Sequence, residues 1–125
     1  MTLAPEGAEY RVIGSIVDVL VAPEDPEAVL AAMTAPETRI VSLTVTEKGY
    51  AHNPATGRLN LAHPDIAHDL TGGDPRSAVG FIVESLARRR AAGTAPFTVL
   101  TCDNLPSNGP LLRGLVLDFA RARDA

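Results

Sequence analysis

The feature that most constrains this chain is a pair of short apolar runs that end abruptly in polar residues. RIVSL (residues 39–43) gives way to TVTEKGY (44–50), and FTVL (97–100) gives way to TCDNLPSNG (101–109). A largely apolar run such as residues 40–43 suits a strand buried on both faces, as in parallel sheets covered by helices. In open parallel sheets, ligands bind in the crevice beyond the carboxyl ends of the strands. Polar groups gathered just after both runs, among them the adjacent Asp103 and Asn104, therefore point to a ligand rather than to packing.

Strands and helices alternate along the rest of the chain. Residues 10–21, YRVIGSIVDVLV, are rich in β-branched residues and predict a first strand, long and bent near Gly14. Asp25-Pro26 supplies an N-cap and a helix-first proline, Val29, Leu30 and Met33 keep helical spacing, and Pro36 stops the turn. Residues 39–46 follow as a second strand, and the interval leaves room for the roughly dozen residues of a parallel crossover. The first unit reads βαβ.

Residues 47–73 carry no helix-length apolar pattern, and so long a connection is usually functional or holds small elements of its own. Residues 50–52 and 58–60, joined by Asn53-Pro54-Ala55-Thr56-Gly57, predict a hairpin flap. His63-Pro64-Asp65 opens a short helix ending near Leu70, and Asp74-Pro75 repeats the cap-plus-proline signal. Val79, Ile82, Val83 and Leu86 form an apolar stripe, residues 88–90 place three arginines near the helix end, and Gly93 is the stop. Residues 97–101 make a third strand, and Asn108, Gly109 and Pro110 start a last helix with Leu111, Leu112, Leu115, Val116 and Phe119 on one face. The fold class is α/β: a mostly parallel sheet of few strands flanked by helices, with a small hairpin flap. With three strands, one sheet edge lacks neighbours, so residues 1–125 read as a single but partial domain.

Composition narrows the partners. A net charge of -4 argues against a polyanion partner, because nucleic-acid binders carry a basic surplus that releases counterions. No apolar run approaches the ~20 residues that span a bilayer. The opening MTLAPEGAEY has neither the basic nor the apolar stretch of a signal peptide. One cysteine, Cys102, precludes an intrachain disulfide and suits a reducing compartment, so the expected location is the cytoplasm.

VSLTVTEKGY, TGRLNLAHPDIAHDL, GFIVESLARRR and PFTVLTCDNLPSNG, in that order, resemble the mannitol dehydrogenase family of long-chain polyol and sugar-acid dehydrogenases. The similarity runs from about Tyr10 to Asp124. It implies the second part of an N-terminal, NAD-binding Rossmann-like domain, with the family's helical catalytic domain absent from this chain. The implied activity is metal-independent hydride transfer between NAD and a polyol or keto-sugar or sugar acid, of the mannitol/fructose or mannonate/fructuronate type. The glycine-rich turn that cradles pyrophosphate is missing from the sequence, as is the acidic residue expected at the adenosine ribose. The family's general-base lysine lies in a Lys-x4-Asn-x2-His arrangement, whereas the sole lysine here is Lys48 and no such arrangement follows it. The VDR-type segment downstream of CDN is missing too. The expectation is negligible NAD affinity and no turnover for the chain alone. The initiator Met favours a truncated gene product over a proteolytic piece. The alternative is a non-catalytic remnant that self-associates through its open sheet edge.

The resemblance carries roles to individual positions. Asn104 would donate its amide to the developing alkoxide, a contribution of roughly 2.7–4 kcal/mol per donor in well-studied sites; otherwise Asp103 and Asn104 form an Asx-turn that ends the strand. Glu47 would gate a proton path between base and solvent, or is a solvated charge. Thr44, Thr46, Asp103 and Asn104 would line the nicotinamide-ribose side, although Thr is also a good strand residue. Asn108 reads as a helix cap ahead of a substrate contact. Cys102 reads as a small buried residue, and His63, Asp65, His68 and Asp69 as capping or surface groups, with no metal site. Arginines 88–90 read as a solvated helix end complementing the helix dipole.

Overall fold

The structure, a computed structural model, describes residues 2–4, 7–103 and 106–124. In chain order the elements are β1 (Thr2–Ala4), β2 (Gly7–Glu9), α1 (Pro26–Thr34), β3 (Ile40–Leu43), α2 (Thr46–Gly49), β4 (His52–Asn53), β5 (Arg58–Leu59), α3 (Pro64–Asp69), α4 (Ala78–Ala92), β6 (Thr98–Thr101) and α5 (Asn108–Asp124). β3 and β6 pair in parallel, Ile40 beside Thr98 through Leu43 beside Thr101. Two antiparallel pairs, β1–β2 and β4–β5, complete the sheets among the described residues. The α/β class and the flap stand as read; the β1–β2 pair was not anticipated.

Local chemistry explains most boundaries. The Asp25 carboxylate accepts from the Ala28 N–H at 3.0 Å with Pro26 behind it, which starts α1. Gly57 at φ +67 allows the β4–β5 turn, and Gly93 at φ +72 closes α4 in the left-handed conformation. His63 accepts from the Asp65 N–H and starts α3. Leu43, Tyr50, Ile66, Val79, Ile82, Phe97, Leu112, Leu115 and Phe119 form the core, and Val41 and Val99 pack against it.

Three expectations about strands are corrected. Residues 10–21 form no strand; Val12 is 96% exposed and Val17 94% exposed. β-branched residues favour a pleated surface only where an edge accepts their hydrogen bonds, and no described strand pairs with this segment. Residues 40–43 are not buried on both faces. Val41 and Leu43 face the core, while Ile40 on the opposite face is 63% exposed and its neighbour Leu100 52% exposed. Finally, the second strand stops at Leu43, because the chain turns into α2.

Two buried charged groups correct the reading of the helices. α4 starts after Ser77 rather than at Asp74-Pro75, since Ser77 Oγ accepts from the Gly80 N–H. Asp69 places that serine: its carboxylate accepts from the Arg76 and Ser77 N–H groups, each at 2.9 Å, and from Ser77 Oγ at 2.6 Å. Residues 88–90 are not a solvated arginine run. Arg89 is 2% exposed and donates to the carbonyls of Met33, Ala35, Thr38 and Ala95, with its guanidinium 5.0 Å from the Phe97 ring centroid. Those carbonyls end α1 and flank β3 and β6, so Arg89 joins three elements in the manner of a C-terminal cap. Arg88 pairs with Glu27 and Glu84.

Gly80 is the close-approach position in this arrangement, since an added Cβ would collide with the Asp69 carboxylate and lie 2.9 Å from Ser77 Oγ. We expect Gly80→Ala to destabilise the fold by about 1–3 kcal/mol, because buried donors lose their acceptor. Gly114 in α5 has nothing within 4 Å of such a Cβ, so Gly114→Ala should stabilise by roughly 0.5–1 kcal/mol. Urea denaturation of both variants checks the pair, and equal midpoints would contradict the Asp69 clasp.

Candidate functional site

The polar edge beyond β3 and β6 is built on Asp103. The parallel pair continues one residue past the strands, where the Cys102 N–H donates to the Leu43 carbonyl at 2.9 Å. This hydrogen bond sets Asp103 beside the start of α2. One Asp103 oxygen, Oδ1, accepts from the Thr46 N–H at 3.0 Å; the other, Oδ2, accepts from the Val45 N–H at 3.2 Å and from the Tyr50 hydroxyl at 2.5 Å. Valine at the N-cap position of α2 has no side-chain acceptor, and Asp103 supplies one from the other strand. Tyr50 is the C-cap of the same helix, so both ends of α2 are tied to one carboxylate. The Asp103 carbonyl in turn accepts from Asn108 Nδ2 at 2.7 Å, which ties in the start of α5.

The backbone around this latch is held in unusual conformations. Thr46 lies at φ 65, Ala51 at φ 51 and Ser107 at φ 51, the only non-glycine residues with positive φ among those described. A β-branched residue there is a genuine outlier, of the kind that persists only where surroundings over-determine it and that clusters at functional sites. The hydrogen bond from Thr46 N–H to Asp103 is that surrounding constraint. Gly49 completes the turn, since a Cβ there would lie 2.7 Å from Val45 Cβ.

The structure brings together Thr44, Thr46, Glu47 and Asp103 at one end of the parallel pair. Thr44, Thr46 and Glu47 are exposed, with Glu47 in the first turn of α2, and Asp103 is half-buried. Asn104 lies outside the described residues; it follows Asp103 directly. Cys102 is exposed, against the expectation of a buried residue, because it has already passed the end of the covered strand. Asn108, the first residue of α5, donates its Nδ2 to the Asp103 carbonyl. Sequence reading passed over Tyr50 as a site residue, although its place at the end of TVTEKGY was the available signal. His63 and Asp65 lie with Lys48 and Arg76 around an open groove of about 360 Å³ beside α2, and no group of three metal-binding side chains gathers among the described residues.

A parallel strand pair with a polar carboxyl edge, flanked by helices, places the protein in the α/β class. Residues 2–125 match the mannitol dehydrogenase Rossmann domain, and the chain belongs to that family. It is 51% identical over 119 residues to a mannitol 2-dehydrogenase of Pyrenophora tritici-repentis, covering 94% of this chain and 21% of that protein. Among solved structures, a D-sorbitol dehydrogenase in substrate-free form superposes with a TM-score of 0.87 at 46% identity, covering 97% of this chain and 25% of that one. A Pseudomonas fluorescens mannitol 2-dehydrogenase in ternary complex with NAD and D-mannitol gives 0.85 at 44% identity, covering 90% of this chain and 23% of that one. The chain thus spans between 21% and 25% of the length of these relatives.

Protonation of the latch follows from its geometry. Burial, then the hydrogen bond to the Asp103 carboxylate, pushes the Tyr50 phenol from 10.0 up to about 12. The Tyr50 hydroxyl, and after it the Thr46 and Val45 N–H groups, hold the Asp103 carboxyl below its ordinary 3.8. A raised phenol stabilises the fold fully below pH 10.0, and this contribution is lost as pH climbs toward about 12. The lowered carboxyl stabilises above pH 3.8 and loses its contribution as pH falls through the folded value. In a Tyr10→Phe background, which leaves Tyr50 as the sole tyrosine, phenolate absorbance should rise with a midpoint near 12; a midpoint at 10.0 in the folded chain would contradict the latch.

Proposed function

We propose that this chain forms the hydride-transfer edge of an NAD-dependent oxidoreductase acting on a polyol or the corresponding keto-sugar or sugar acid, of the mannitol/fructose or mannonate/fructuronate type. The observation that carries this reading is the Asp103 latch, which sets the TVTEKGY segment beside Cys102 and Asp103 at the carboxyl ends of two parallel strands. A relative 44% identical to the chain is a mannitol 2-dehydrogenase solved with NAD and D-mannitol. The exposed Thr44 and Thr46 at the strand ends fit the nicotinamide-ribose end of the cofactor, which supplies hydride acceptance and donation when bound. The sequence has no glycine-rich turn after a strand, so these residues fit that end of NAD and not its pyrophosphate.

In this reading the Asn104 amide, next to the anchored Asp103, donates to the oxygen of the reacting carbon as charge develops there. Glu47, exposed in the first turn of α2, carries a proton between the general base and solvent. The sequence offers a single lysine, Lys48, which lines the groove beside α2 together with His63, Asp65 and Arg76 and is not followed by the family's Lys-x4-Asn-x2-His arrangement. The chain by itself is expected to turn over no substrate.

The second reading, a self-associating module, draws on the exposed apolar surface of residues 10–21 and of Ile40 and Leu100. Sedimentation equilibrium separates it, since that reading requires a dimer at micromolar concentration.

The direct test replaces the matched region of the Pseudomonas fluorescens enzyme with residues 2–125. The hybrid should oxidise D-mannitol with NAD, and Asn104→Ala within it should lower kcat by about 10²–10³-fold. An Asn104→Ala hybrid as active as its parent would contradict the proposed role.

A further inference from the structure

Sequence spacing assigns Asp103 no partner, and the resemblance places it among groups near the cofactor. Its contacts point elsewhere. Both carboxylate oxygens are engaged by donors of this chain, two backbone N–H groups and one phenol, and its carbonyl is engaged by Asn108. These donors sit 53 to 58 residues earlier in sequence, all within the segment from Val45 to Tyr50. Tyr50 is fully buried, so its hydroxyl reaches Asp103 from the core side. Both are therefore parts of the support of α2 and not of its exposed surface, where Thr46 and Glu47 lie.

We infer that Asp103 and Tyr50 are positioning residues for Glu47: together they hold Thr46 in the left-handed conformation that swings the chain out of β3 and into α2. This inference rests on the proposed role of Glu47 for its catalytic meaning, while its structural content stands on the latch alone. Three features make the pair suited to that work. The N-cap of α2 is a valine, so the exposed amides at its start have no local acceptor. The turn needs φ 65 at a threonine, a conformation that costs energy and that the Thr46–Asp103 hydrogen bond holds in place. The helix is four residues long, too short to hold its own shape, so tying both ends to one carboxylate decides where its first turn sits.

Asparagine at position 103 keeps the shape of the side chain but replaces one acceptor oxygen with a donor, so it cannot serve all three donors. In Asp103→Asn, amide hydrogen exchange of Val45 or Thr46 in this chain should accelerate on the order of tenfold or more, while Val41, Leu43 and Cys102 in the β3–β6 ladder keep their rates. Unchanged exchange at both Val45 and Thr46 would overturn the inference whatever the enzyme does. If Asp103→Asn fails to fold, Tyr50→Phe reads the same two amides with one hydrogen bond removed, and the same local acceleration is expected. In the hybrid enzyme, Asp103→Asn should lower kcat and leave KM for NAD unchanged. A raised KM for NAD at unchanged kcat would overturn the inference by making Asp103 a cofactor contact. A hybrid without any activity before mutation would instead count against the proposed function, leaving the exchange result to decide the latch.

Discussion

The carboxylate of Asp103 is the constraint on which the polar edge of this molecule depends. Parallel pairing brings β3 and β6 together through four residues each, but pairing alone leaves the two following segments free to diverge. A charged acceptor bonded to two N–H groups and a phenol is among the stronger connections available to a protein, because ionised acceptors make shorter and stronger hydrogen bonds than neutral ones. The latch converts a two-strand ladder into a defined corner. Thr44, Thr46 and Glu47 lie on one side of that corner, and Cys102 and Asp103 on the other. Strained backbone at Thr46, Ala51 and Ser107 collects around it.

The second organising charge is Arg89, and its contrast with Asp103 separates fold from function. Arg89 is enclosed and donates only to backbone carbonyls at the ends of α1 and beside β3 and β6. A buried cation with several well-made hydrogen bonds is tolerable and rigidifying, while one left unpaired is costly. It fixes the amino ends of the parallel strands. Asp103 fixes the carboxyl ends, where the exposed Thr44, Thr46 and Glu47 gather.

Much of this was legible in the sequence wherever the cause was local. Asp25-Pro26, Gly57, His63-Pro64 and Gly93 act within a few residues, and each marks the boundary expected of it. The strand ends that carry Thr44, Thr46, Glu47 and Asp103 were legible because an apolar run stopping at polar residues is itself a local signal. What was not legible depended on distance. The shift of the α4 start from Asp74 to Ser77 comes from Asp69, a residue of the preceding helix. The exposure of residues 10–21 reflects which strand edges can accept a partner, which composition does not encode. Arg89 was hidden by its charged neighbours, although its spacing from Ile82 and Ser85 puts it on the buried face of α4. The role of Tyr50 required knowing that a residue 53 positions later would lie beside it.

A double-mutant cycle between Asp103→Ala, which removes the acceptor altogether, and Tyr50→Phe, read as urea midpoints, tests the latch most directly. Residues in direct contact are expected to be non-additive, whereas independent sites add. The double variant should be scarcely less stable than the more damaging single variant, because the second change removes a hydrogen bond already broken. A double variant whose loss equals the sum of the two single losses would mean that Asp103 and Tyr50 do not act on one another, and the corner would need another cause.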